Sequence, residues 1–213
     1  MPSYRCKHCP MIFGEQPIVR GSGPLGAKYC VVGERAGRVE TVTGKPFTGP
    51  AGELLNRVLR EIEVDPNSIF RTNVVRCYAP NNKPPRASET QACASKMAME
   101  LGKLKDLKMV IALGAVATKT LLDTKKGVTW LRGRTLEFPG MPCKLGITYH
   151  PAAVLRNPDL YSDLKEDLDR YFNGAKRSKI EQNYYWARTE KEAVTVLRFL
   201  LGEVGDFEED VEA

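Results

Sequence analysis

Long apolar runs are absent from this sequence of 213 residues. No stretch approaches the roughly 20 apolar residues that a membrane-spanning helix needs, so a soluble chain with no membrane partner is expected. The opening MPSYRCKHCPMIF has no sustained apolar core. Without a secretory leader, the default compartment is a reducing cytosol, where disulfides are rare. Histidine is scarce, with two residues, and tryptophan is equally rare. Acidic charge is also short over most of the chain. Asp206, Glu208, Glu209, Asp210 and Glu212 crowd the C-terminus, so the preceding residues hold all 32 Lys and Arg against 21 of the 26 Asp and Glu. A body that basic attracts polyanions, although a merely solvated basic surface is a common alternative.

Cysteine, by contrast, is plentiful at six residues. Cys6-Lys7-His8-Cys9 contains a close pair, and Cys77 and Cys93 follow singly, each beside a different expected element. A close pair supplies two soft ligands from one tight turn, and single cysteines from separate elements can converge on it. That is the layout of a thiolate-held inorganic centre. Tetrahedral zinc and a cubane iron–sulfur cluster both satisfy the spacing. Cys30 and Cys143 sit instead in apolar strand-like runs, YCVV and PCKLGITY, where cysteine behaves as a small hydrophobe.

At 42% hydrophobic, the chain can bury one core of α/β size. GSGPLG, residues 21–26, reads as a flexible lead into a buried strand over Lys28 to Val32. A glycine- and proline-punctuated loop is expected from Gly33 to Pro50, then a helix whose Leu54, Leu55, Val58, Leu59 and Ile62 share one face. SIFRTNVV reads as a second strand, NNKPP as a turn, and SETQACASKMAMELGKLKDL as a helix opening near Ser88 and Glu89. MVIALG is a third strand, followed by a helix from about Ala115 to Leu122, a hairpin region over 128–148 and an amphipathic helix over 158–172. Strands alternating with helices, several apolar throughout, predict an α/β fold with a mostly parallel sheet covered on both faces. The ligand crevice of such a sheet lies beyond the carboxyl ends of its strands. The loop after the first strand, Asn73 and His150 should converge there. Residues 174–182 read as a polar linker, and 183–213 as a strand, a helix and an acidic tail.

The loop contains Gly33-Glu34-Arg35-Ala36-Gly37, then Glu40, then Gly44-Lys45-Pro46-Phe47-Thr48-Gly49-Pro50-Ala51-Gly52. Such glycine density permits close approach of backbone to a ligand. The loop fits neither G-x-x-x-x-G-K-[ST] nor G-x-G-x-x-G, which argues against a nucleotide cradle. Phe47 is well placed to offer a ring face, and a core phenylalanine is the plainer reading. His150, at a strand's carboxyl end and before Pro151, can present a nitrogen to the crevice. Asn73 sits in an apolar strand, where its carboxamide must find a ligand or a backbone partner.

Taken in order, CKHC, VGERAG…E…GKPFTGPAGELLNRVL, TNVVRCYAPNNKPP…E…C and TYHPAAVLRNP resemble the iron–sulfur, family 4 branch of the uracil-DNA glycosylase superfamily, over about residues 6–172. The resemblance implies a three-layer α/β/α fold with a four-stranded, mostly parallel sheet, and a target base flipped out of DNA into the crevice. It implies a [4Fe-4S] cluster on Cys6, Cys9, Cys77 and Cys93, structural in role. It lines the base pocket with Glu34, Arg35 and Ala36, stacks Phe47 on the base and sets Asn73 at the pyrimidine edge. His150 stands against a base carbonyl, where a donor stabilises the departing anion. Glu34 first and Glu40 second are candidates to position water or offset charge on the sugar. Leu155 becomes a minor-groove wedge and Arg156 a phosphate contact. The implied activity is hydrolytic excision of uracil, or a related modified pyrimidine, from single- or double-stranded DNA. A monomer in the cytosol of a prokaryote or of a phage-infected host is expected to carry it out, with residues 1–173 as its domain.

Two positions depart from the family's pattern. Small residues usually stand where Arg35 and Ala36 do, and a serine usually follows His-Pro where this chain has Ala152. Arg35 must either point to DNA phosphates, leaving the pocket open, or fill it. An unpaired buried arginine is costly, so the outward pose is expected. A closed pocket would instead make the chain a catalytically weak, glycosylase-like DNA-binding module. The chain lacks the basic, histidine-containing insertion of the relatives that bond covalently to uracil-DNA, so cross-linking is not expected. Residues 183–213 resemble the leading strand and helix of the 3′–5′ exonuclease domain in A-family DNA polymerases, which makes a DNA polymerase a candidate partner.

Overall fold

The computed structural model describes residues 17–122 and 124–174. Cys6, Cys9, the linker beyond Gly174 and the C-terminal extension lie outside the described residues. Five strands, β1 (Tyr29–Arg35), β2 (Phe70–Val75), β3 (Met109–Leu113), β4 (Thr135–Glu137) and β5 (Lys144–Thr148), form one sheet in the order β2-β1-β3-β5-β4. The helices are α1 (Arg38–Thr43), α2 (Pro50–Glu61), α3 (Ala87–Leu101), α4 (Gly114–Leu122), α5 (Val128–Leu131), α6 (Pro151–Arg156) and α7 (Tyr161–Asn173). β2, β1, β3 and β5 run parallel, and β4 pairs antiparallel with β5 from Thr135–Gly146 to Glu137–Lys144. The four strands expected are therefore joined by a fifth, a short edge drawn from the hairpin region.

Side chains along each strand alternate between two cores. Cys30 and Val32 of β1 face one side and Val31 the other, just as Val110 and Ala112 of β3 oppose Ile111 and Leu113. Strands apolar on both faces need cover on both, and helices supply it. Met97 and Leu101 of α3, Ala117 and Leu121 of α4 and Leu131 of α5 close the first side. Leu55 and Leu59 of α2, Val154 of α6 and Leu164 and Leu168 of α7 close the second. Asp167 of α7 accepts the Thr148 hydroxyl at 2.7 Å and the Arg132 Nε–H at 3.0 Å, fixing α7 at the carboxyl end of β5.

Two sequence expectations shift. β1 runs past Val32 to Arg35, because its register with β2 continues through Gly33–Asn73 to Arg35–Val75. Glu34 and Arg35 are thus held by a strand ladder rather than by a loop, and the loop that follows contains the short α1. GSGPLG is not a loose lead either. Val19 donates its backbone N–H to Arg76 at 2.9 Å, and Ser22 and Arg71 exchange backbone bonds of 2.9 and 2.8 Å. These tie the N-terminal segment along the outer edge of β2.

Candidate active site

Beyond the carboxyl ends of β1 and β2, beside the start of α6, lies a cavity of about 640 Å³ lined by Glu34, Phe47, Asn73 and His150. Side chains far apart in sequence meet there because parallel strands all deliver their ends to one side. Gly33 makes the floor possible. A Cβ at that position would overlap Asn73 Oδ1 and stand 2.7 Å from Phe47 Cζ. Asn73 is 5% exposed, and its carboxamide has no hydrogen-bond partner among the described residues. A buried amide whose donor and acceptor both border a cavity is completed by a ligand offering the complementary pair.

Phe47 holds φ at 58°, a left-handed conformation that costs a non-glycine residue about 1 kcal/mol or more. Gly52 accommodates it, since any Cβ there would overlap the Phe47 carbonyl. The Phe47 ring lies 6.1 Å from the His150 ring at an interplanar angle of 25°. His150 caps α6, its Nδ1 accepting the Ala152 backbone N–H at 3.1 Å. That bond assigns the proton of the neutral ring to Nε2. Burial, seconded by the charge of Arg156, pushes the imidazole pKa down to about 4. Gly114, at φ 84°, receives the ring, because a Cβ there would stand 2.9 Å from His150 Cβ. The result is an uncharged N–H donor at neutral pH.

Glu34 is half-buried. Burial raises its carboxyl pKa, with Arg35 and then Arg156 opposing the rise. Glu40 is buried in α1, where its Oε1 accepts the Gly49 backbone N–H at 3.3 Å. This carboxylate ties the two ends of the loop together as well as bordering the cavity. Ala36 is buried, its N–H donating to the Val75 carbonyl at 3.1 Å. At the far end of α6, Leu155 is 51% exposed and Arg156 is exposed, both at the cavity mouth.

Arg35 corrects the expected outward pose. Its side chain is only 6% exposed and forms an ion pair with Glu89 of α3. A buried guanidinium needs a paired acid, and the choice between phosphate and cavity overlooked one lying 54 residues on. Glu89 also accepts the Arg86 backbone N–H at 3.3 Å, closing the first turn of α3. The helix therefore opens at Ala87, one residue before the expected start. Glu89 reads in the sequence as part of a helix start alone. The signal that points to its second role is an unmatched arginine at the end of a strand whose neighbour packs against that helix.

Of the expected thiolate ligands, Cys93 is buried on α3 and Cys77 follows β2 by two residues. The bond from Val19 to Arg76 carries the N-terminal segment to the residue before Cys77. Two soft donors from separate elements, with the N-terminal segment running beside one of them, suit a four-thiolate centre. Cys30 and Cys143 are buried in the apolar core, where burial raises the thiol pKa of both, as suits small hydrophobes. Among the described residues, no group of three His, Cys, Asp or Glu side chains forms a metal site by itself.

Comparison with known proteins adds four findings. The profile of the uracil DNA glycosylase superfamily matches residues 20–176. The type-4 uracil-DNA glycosylase of Pyrobaculum aerophilum is 35% identical over 175 residues, 79% of this chain and 89% of that protein. That of Thermotoga maritima is 34% identical over 169 residues, 78% of this chain and 87% of that protein. A DNA polymerase of Bacillus phage SP01 is 28% identical over 158 residues, 74% of this chain but 17% of the polymerase.

Proposed function

This chain belongs to the uracil-DNA glycosylase superfamily, and from that premise we propose that it excises uracil from DNA by flipping the nucleotide into the cavity and hydrolysing its glycosidic bond. The observation that carries the reading is the unpartnered carboxamide of buried Asn73. Its Oδ1 accepts the uracil N3–H and its Nδ2 donates to O4. Cytosine presents the reverse pattern at those two positions, so the same amide rejects it.

Phe47 stacks on the flipped base, and His150 donates its Nε2–H to a base carbonyl. As the C1′–N1 bond breaks, the electron pair leaves with the base and positive charge builds on the sugar. A fixed neutral donor stabilises that anion without having to give up its proton. Glu34, as carboxylate, offsets the sugar charge and takes a proton from the water that adds at C1′. Glu40 holds the loop in place. Leu155 fills the space the base vacates, and Arg156 contacts phosphate.

Cys6, Cys9, Cys77 and Cys93 hold a [4Fe-4S] cluster in this reading, which when bound cross-links the N-terminal segment to β2 and α3 and takes no part in the hydrolysis. Residues 1–173 act as one catalytic domain, as a monomer. No helix among the described residues is long and apolar enough to cross a membrane. The likeness to a phage DNA polymerase favours a second reading, a weakly catalytic module working beside a polymerase.

The test is a cleavage assay on single- and double-stranded oligonucleotides carrying uracil, hydroxymethyluracil or hypoxanthine. Release of uracil, with strand scission after alkali, is the expected result. A protein that binds these oligonucleotides and leaves every base in place sinks the proposal and promotes the second reading.

A further inference from the structure

Trp130 stands on α5, 46% exposed, with two cations against its ring. Lys126 Nζ lies 3.5 Å from the ring centroid and the Arg134 guanidinium carbon 4.1 Å. Both cationic residues are exposed. Among the described residues, no carboxylate pairs with either one. Each cation is modestly attracted to the exposed aromatic face. Gathering two like charges on one ring, with no carboxylate paired to either among the described residues, works against that attraction, because the charges repel. A polyanion reverses the balance, as each cation then meets a phosphate without first losing the freedom of a long side chain.

The place of this cluster favours DNA as the polyanion. The Gly133 N–H bonds to the Ile147 carbonyl at 3.1 Å, so this segment passes the carboxyl end of β5. The Arg132 guanidinium lies 5.6 Å from the Tyr149 ring, and Tyr149 directly precedes His150. The two chain steps from Trp130 to Arg132 span at most roughly 7 Å. Trp130 therefore sits within one turn of duplex, roughly 34 Å, of the catalytic histidine.

We propose that Lys126 and Arg134, held by Trp130, form a second backbone-binding site that grips DNA phosphates flanking the flipped nucleotide. This rests on the glycosylase reading, since the DNA lying across the cavity is what brings phosphates to the cluster. Base identity plays no part in it, so uracil-containing and uracil-free duplexes are gripped alike.

The test uses the full chain carrying Lys126→Gln with Arg134→Gln, a pair that removes charge while keeping the stems on the ring. Affinity for a 20-base-pair uracil-free duplex, followed by fluorescence anisotropy between 50 and 250 mM salt, should fall, and the slope of log K against log salt should shrink by about two phosphate contacts. Single-turnover excision at saturating enzyme should be unchanged. Trp130→Ala, which keeps both charges and frees them, should weaken binding less than the double variant and leave the slope close to wild type. An unchanged slope and affinity in the double variant overturns the proposal even if uracil is excised normally. A reduced slope in a protein that excises nothing upholds the second site and removes the glycosylase reading instead.

Discussion

In the proposed reaction, Asn73 and His150 offer fixed polar groups to a step whose charge appears only as the bond breaks. Alanine at either position should lower the single-turnover rate by about 100-fold, roughly 2.7 kcal/mol, with little loss of DNA affinity. Equal losses of rate and affinity would mark a merely structural role. Acid sensitivity should separate Glu34 from His150. Because burial raises the Glu34 pKa, falling pH protonates it sooner than an ordinary glutamate. The acid limb of the rate profile should therefore lie above the usual carboxylate range and vanish in Glu34→Gln. His150 stays neutral down to about pH 4, so no inflection should appear near pH 6.5, the ordinary histidine value. Arg35 behaves differently again. Removing its acid leaves a buried cation at the edge of the cavity, and the nearest relief is to turn inward. Glu89→Gln should raise KM and weaken product inhibition by free uracil about tenfold or more, and adding Arg35→Ala should restore both. If the second change restores nothing, Glu89 acts through the helix start alone.

Elements were legible where periodicity was long. The α2 face, with Leu54, Leu55, Val58 and Leu59 buried, and β3, buried at all five positions, match what spacing predicts. The end of β1 was hidden by Gly33, which reads as punctuation but in fact gives Asn73 and Phe47 room. The six-residue α1 was equally hidden, since Glu40 is its one buried side chain and no apolar face repeats along it. The pairing of Arg35 with Glu89 depends on α3 packing against β2, a tertiary fact that local pattern does not carry. His150, Asn73, Phe47 and Glu34 could be foreseen because parallel topology sends strand ends to one rim. At this scale α6 can be tested directly. Arg156→Ala should weaken DNA binding and flatten its salt dependence by about one phosphate contact, with the saturating rate kept within a few-fold.

For the molecule as a whole, the proposed four-thiolate centre would join distant parts of the chain. Protein purified without oxygen should be brown and contain about four irons per chain. Cys77→Ser or Cys93→Ser should lose iron and thermal stability together, because ligation energy is folding energy at such sites. Cys30→Ala and Cys143→Ala should keep the metal, and zinc in place of iron would refute the assignment. The geometry of α6 also bears on how the whole protein works. His150 stands at one end of this helix and Leu155 and Arg156 at the other, across six residues or roughly 9 Å. In the proposed reaction, probe and reagent are thus opposite tips of one short helix, with the Phe47 ring beside one tip. A duplex that resists the Leu155 tip should then tilt the imidazole tip out of line with the base, so that inspection and commitment become a single stroke and undamaged DNA is let go.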